Sequence, residues 1–291
     1  MLTRRCTQRQ FLLRPDPALE QLYLYVLGVA AMRTGVDLVH ATLMSNHEHL
    51  VLGDRGATRV AFYQYLHALV ARAGNCMRGR FENLWDTAQT SVVRLVTSDD
   101  LVDKIVYAAT NPVTARLVAR VDQWPGVNTL RALLDKQPIV VERPHWFFSK
   151  KLPDKVTLRF RLPPEVGDED EVLDRIRRRI AEVEEAEAAR RAERGARVLG
   201  RRAVRKQSWR DRPRTREPRF GLRPQVACRN RWARIEALQR NRDFLEAYSE
   251  ARRLWLAGKP TLFPPGTYQL RCFAFVPVAE PPIIPFGPAS N

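Results

Sequence analysis

The nine residues MSNHEHLVL, Met44 to Leu52, decide the reading of this chain. His47 and His49 stand two apart in a run of β-forming residues, and side chains at i and i+2 of a strand leave the same face. The run before them, Val36 to Met44, is equally β-rich, and Ser45-Asn46 is a turn signal. Val36 to Met44 and Glu48 to Leu52 therefore read as a hairpin. Two imidazoles on one face can reach a single metal ion, although a lone His-x-His pair also occurs at ordinary strand edges. Glu48, between them, belongs to the opposite face.

Working outward, residues 5–13 read as a short strand and residues 17–34 as a helix, with Pro17 in its first turn and Gly35 ending it. Residues 57–78 repeat apolar positions at helical spacing, and SVVRLV (91–96) reads as a strand. Ser98 then caps a helix that starts on Asp99-Asp100 and runs to about Thr110, where Pro112 should stop or bend it. The order strand, helix, strand, strand, helix, strand, helix predicts an α+β fold, a ferredoxin-like antiparallel sheet with helices on one face. In its last helix Tyr107 and Asn111 are four apart, one turn along a single face. Spacing alone fits either an active-site pair or a partly buried tyrosine with a C-capping asparagine before proline.

Residues 1–128 hold all of this. A Pro- and aromatic-rich region follows at 129–166, with RPHWFF (143–148) and the strand-like VTLRFRLP (156–163). Residues 167–219 form a charged helix with opposite charges at i and i+4, then the tract RRAVRKQSWRDRPRTREPR (201–219), nine Lys or Arg against two acids. Residues 220–291 add a helix at about 231–257 and a strand-like finish, FPPGTYQLRCFAFVPV. This makes a helical, Arg-rich C-terminal extension. A net charge of +17 calls for a polyanionic partner, nucleic acid first. The longest apolar run, Leu22 to Met32, is too short to span a bilayer, and the N-terminus lacks the pattern of a signal peptide. These features predict a cytoplasmic protein with no membrane association. Four scattered cysteines without a CxxC pair argue against a zinc ribbon or a disulfide framework.

MSNHEHLVL resembles the HUH motif of the single-tyrosine transposases, the group that includes the REP-associated tyrosine transposases. YAATNPVTARLV (107–118) resembles their tyrosine-bearing helix, and TRRCTQRQFLLRP and GRFENLWD are similar to family sequence, so that the likeness covers about residues 3–127. The motif departs at Glu48, where the family normally has a hydrophobic residue; its side chain is expected to make a surface or helix contact. The resemblance implies that His47 and His49 hold a divalent ion, Mg²⁺ or Mn²⁺, with Asn111 as third ligand. It implies that Tyr107 attacks the scissile phosphate of single-stranded or hairpin DNA to form a 5′-phosphotyrosine. A tyrosine hydroxyl titrates near about 10, so it needs a nearby cation or base, and Lys104, one turn earlier, is a candidate. The family works as monomer or homodimer.

Candidate phosphate contacts are Arg4, Arg5 and Arg9 on the first strand, Arg78 and Arg80 after the second helix, and Arg201, Arg202, Arg205 and Lys206 in the basic tract. Trp85 is either a base-stacking ring or a core residue, and the tract around Trp209 either a DNA grip or a linker. His40, His67 and His145 lack partners at ligand spacing and read as structural or surface residues. Two alternatives have different chemistry: a DNA-binding regulator of the same fold without the reaction, and a metallohydrolase using Glu48 as base. Strand alternation puts Glu48 on the wrong face for the second.

Overall fold

A computed structural model of the chain describes residues 1–215 and 224–281. Strand β1 (Leu2–Arg5) is followed by helix α1 (Pro17–Thr34), strands β2 (Asp37–Leu43) and β3 (His47–Gly53), helix α2 (Arg59–Arg78) and the two-residue strand β4 (Ser91–Val92). The four strands form one sheet in the order β2-β3-β1-β4, and each neighbouring pair is antiparallel. The fold is thus mixed α+β around an antiparallel sheet. Next come β5 (Arg94–Leu95), α3 (Ser98–Thr114), α4 (Leu130–Leu134), β6 (Ile139–Glu142), β7 (Lys155–Leu158), α5 (Glu169–Glu193), α6 (Arg201–Lys206), β8 (Val226–Ala227), α7 (Arg231–Leu256) and α8 (Gln269–Phe273).

Local chemistry sets several boundaries away from their expected places. The first strand spans residues 2–5 rather than 5–13, because Gln8 and Arg9 take left-handed φ of 49° and 59° and turn the chain. Leu12 and Leu13 are buried as loop residues. Helix α3 is capped by Thr97, not Ser98: Thr97 Oγ1 accepts from Asp100 N, and the Asp100 carboxylate accepts from Thr97 N at 3.0 Å. Nor does Pro112 stop α3, which continues to Thr114. So close to the end, proline forfeits one backbone bond, and the last turn is closed by Ala115 N to Asn111 O and Leu117 N to Pro112 O. The expected strand 91–96 divides between two sheets, since β4 pairs with β1 while β5 runs parallel to β8. The strand-like finish instead contains α8, with a single bridge from Phe263 to Val278.

Helices cover both faces of the sheet, not one. Glu48 and His49 point to opposite sides of β3; Glu48 meets Tyr23 of α1 and His67 of α2, whereas His49 meets Tyr107 and Asn111 of α3. The apolar face of α3 (Leu101, Val102, Ile105, Val106, Ala109, Val113) is too broad for one partner. It lies between the sheet and α5, whose Val172, Leu173, Ile176 and Ile180 repeat at helical spacing. One hydrophobic core runs from Leu2 to Val204 and takes in β6, β7, α5 and α6. On the other side α1 approaches β7 so closely that a Cβ on Gly28 would sit 2.7 Å from Val156 Cγ2. Helix α7 buries only Ala237 and Ala251, the latter in a small second cluster with Phe263 and Val276. Among the described residues no helix is long and apolar enough to cross a membrane.

Candidate active site

The register of β1 on β3 pairs Thr3 with His49, Arg4 with Glu48 and Arg5 with His47, so alternate residues of both strands face α3. His47 and His49 lie edge to face with ring centroids 4.8 Å apart. The Tyr107 ring stands 5.3 Å from that of His49, and Asn111 Nδ2 lies 3.2 Å from His49 Nε2. The i to i+4 spacing on α3 thus brings both residues to the same imidazole. Tyr107 is 50% exposed, so its hydroxyl is open to a large substrate, while His49 is buried. Lys104 Nζ sits 5.5 Å from the Tyr107 ring centroid.

Two residues that the sequence did not single out orient the imidazoles. Asn46 Oδ1 lies 2.7 Å from His47 Nδ1, and Asn46 Nδ2 donates to Arg9 O at 3.2 Å, which fixes which end of the amide faces the ring. An amide oxygen only accepts, so His47 carries its proton on Nδ1 and its lone pair on Nε2. On His49, Nδ1 meets Thr3 Oγ1 at 3.0 Å, leaving Nε2 toward Asn111. Such outer partners are what hold a histidine in its metal-ligating tautomer. Burial first, then the nearby His47, His40, Arg5 and Lys104 charges, holds His49 well below the ordinary histidine range, so its ring is neutral, the form that ligates. Among the described residues no group of three His, Cys, Asp or Glu stands together, and the donor set is two imidazoles and an amide. That set fits a divalent ion. Thr3 lay outside the expected first strand, and Asn46 was legible only as a turn residue; the signal lay in the register, which pairs Thr3 with His49.

Behind the strand, Glu48 is fully buried. It accepts from Tyr23 Oη at 2.9 Å and binds His67 Nε2, while Arg4 Nη1 reaches His67 Nδ1 at 3.1 Å and Trp85 Nε1 donates to the His67 carbonyl. Glu48 therefore makes a helix contact from the face opposite the histidines, and cannot act as a base at their site. His67 is its structural partner, and Trp85 is core. His40 is buried between Thr42 Oγ1 at 2.8 Å and Thr129 Oγ1 at 3.3 Å.

The candidate phosphate contacts are dispersed. Arg4 faces the helix side, and Arg5 is exposed opposite His47. Arg78 is largely enclosed by Leu12 O and Asp16, and Arg80 bonds Gln10 Oε1 at 3.1 Å. Arg9 Nη1 bonds Thr215 O at 2.7 Å. Arg201, Arg202 and Lys206 are exposed on α6, and Arg205 reaches Pro125 O at 3.4 Å. Residues 216–219 of the basic tract lie outside the described residues. No family model matches the chain, and no curated protein or solved structure is significantly similar to it.

Proposed function

We propose that the chain is a single-tyrosine nuclease and transferase of the HUH type that cleaves and rejoins single-stranded DNA. The observation that carries this reading is the convergence of His47, His49, Tyr107 and Asn111 from β3 and α3, with the Nδ1–H of His47 held by Asn46 and Nδ1 of His49 against Thr3 Oγ1. The β-α-β-β-α-β order with strands in the sequence β2-β3-β1-β4 supports a ferredoxin-like fold for this domain. A net charge of +17 supports a nucleic-acid substrate.

In this reading the imidazoles of His47 and His49 and the side-chain oxygen of Asn111 would hold Mg²⁺ or Mn²⁺. Bound there, the ion would polarise the scissile phosphate. Tyr107 Oη attacks phosphorus, the bond to the 3′ oxygen breaks, and the tyrosine proton is transferred overall to that departing oxygen. The products are a 5′-phosphotyrosine and a 3′-hydroxyl, and reversal with another 3′ end rejoins DNA. Lys104 supplies positive charge beside the ring that becomes the nucleophile. Thr3 and Asn46 keep the imidazoles oriented throughout.

The test is incubation of the chain and its Tyr107→Phe variant with labelled hairpin-bearing single strands, with Mg²⁺ or Mn²⁺ and with chelator. A metal-dependent, denaturant-resistant adduct, absent from the variant, is the expected result. Tight binding without an adduct on any substrate would instead favour a DNA-binding regulator of the same fold.

A further inference from the structure

Part of the basic tract is built onto the candidate catalytic domain rather than trailing from it. Residues 207–215 lie along the loop between β1 and α1: Phe11 N donates to Asp211 O at 2.9 Å, Arg14 Nη1 to Gln207 O at 2.9 Å and Arg9 Nη1 to Thr215 O at 2.7 Å. Arg9 also carries the carbonyl that receives Asn46 Nδ2, and Asn46 Oδ1 accepts from His47. Only two hydrogen-bonded residues therefore separate this strap from a candidate metal ligand. The loop beneath it contains Gln8 and Arg9, both left-handed, a conformation that persists only where neighbours hold it.

The strap is anchored by Trp209, which packs against the main core and is approached by three guanidiniums: Arg210 at 4.5 Å, Arg80 at 5.7 Å and Arg78 at 6.0 Å from the ring centroid. Like charges crowded on one ring repel unless counter-charge is supplied. Asp16 bonds Arg78 and Arg14, but Arg80, Arg210, Arg212 and Arg214 have no carboxylate partner among the described residues. Asp211 N bonds Ser208 O at 3.0 Å, closing a turn that carries Arg210; Arg212 and Arg214 follow it, and all three are exposed at two-residue intervals. That spacing suits successive phosphates of a flexible backbone.

We infer that residues 207–215 form a fixed track for the sugar-phosphate backbone of a single strand, delivering it to the His47 side of the site, with Trp209 serving as the anchor and not as a base-stacking ring. This inference rests on the function proposed above for its substrate class. Its chemistry is charge pairing by Arg80, Arg210, Arg212 and Arg214, and no covalent step is involved.

The experiment measures anisotropy of a labelled oligo-dT strand, with chelator present, against the full chain in a Tyr107→Phe background. It compares Arg210→Gln/Arg212→Gln/Arg214→Gln with Trp209→Ala over a series of salt concentrations. Losing three phosphate contacts lowers the salt slope by about 2, so that between about 50 and about 200 mM salt the parent loses roughly 20-fold more affinity than the triple variant. Trp209→Ala, which keeps every charge, is expected to weaken binding at least threefold by releasing the track. Arg212→Gln alone, at an exposed residue, is expected to lower the slope by about 0.7 and guards against misfolding of the triple variant. An unchanged slope in both charge variants overturns the track, and parent-like affinity in Trp209→Ala shows that a loose tail suffices and overturns it too. Equal losses for duplex of the same length would overturn the single-strand assignment. The adduct assay separates the two readings: strap variants that lose binding, in a chain that forms no adduct, would leave the track standing and remove the chemistry.

Discussion

Replacing Glu48 with alanine should be among the most damaging single changes in this chain. The carboxylate is fully buried, and its removal strands the Tyr23 hydroxyl and His67 Nε2, both buried with it. Each orphaned buried polar group costs about 1–3 kcal/mol, so stranding the two together costs about 2–6 kcal/mol in all. At roughly 2–4 °C per kcal/mol, thermal unfolding followed by circular dichroism should move down by about 10 °C. Removing the partners together, in Tyr23→Phe/Glu48→Leu/His67→Leu, should recover at least half of that loss, because the stranded hydroxyl and ring are then gone and Arg4 Nη1 keeps Thr90 Oγ1 at 3.2 Å. A midpoint for Glu48→Ala within about 2 °C of the parent would refute the argument, because it would mean that the network contributes less than about 1 kcal/mol. The same residue separates two chemistries. Normalised to folded protein, Glu48→Gln should form adduct within threefold of the parent, whereas loss of a general base costs about 10²-fold or more.

Three further outcomes follow from named contacts. Burial lowers His40 to about 3 from its ordinary 6.5, so the unfolded chain binds a proton that the folded chain refuses. Its contribution is complete above pH 6.5 and is lost as the pH falls toward 3, at up to about 1.4 kcal/mol per pH unit. Denaturant titrations from pH 6 to 4 should show a shallower decline in His40→Gln than in the parent; parallel curves would count against it. Thr3→Val removes the oxygen at His49 Nδ1 and should weaken Mn²⁺ binding about 10- to 100-fold by calorimetry, with Thr3→Ser near the parent; equal affinities would show that Thr3 does not orient the ring. Gly28→Ala places a methyl 2.7 Å from Val156 Cγ2 and should destabilise by about 1–3 kcal/mol in urea, whereas a neutral result would mean that β7 can give way.

What was legible in the sequence was what periodicity carries. Two-residue alternation placed His47 and His49 together and Glu48 behind them, and four-residue spacing placed Tyr107 above Asn111. The Glu48, His67 and Tyr23 network was not legible, because its members come from three elements at no regular interval and meet only once α1 and α2 pack on the sheet. Neither was the second helical layer. Helix α5 reads as a run of paired charges, and its four core residues are few among them, yet they are what covers α3. The break after Arg5 depends on left-handed Gln8 and Arg9, residue types that carry no turn signal. Asn46 looked like punctuation, and its second duty appears only when its amide is seen between Arg9 and His47.

The buried glutamate also bears on how the chain reaches its fold. Moving β3 by one residue against β1 would turn His47 and His49 into the apolar layer beneath α1 and α2 and drive Glu48 out toward α3. Tyr23 and His67 would then face histidine or leucine instead of a carboxylate, and Arg4 would lose its counterpart across the sheet. A plain hydrophobic residue at 48 would be forgiving of such a slip, because greasy side chains accept many neighbours. An acid with two designated partners accepts one alignment only. Glu48 thus ties the sheet to the one register in which both histidines emerge on the side of Tyr107.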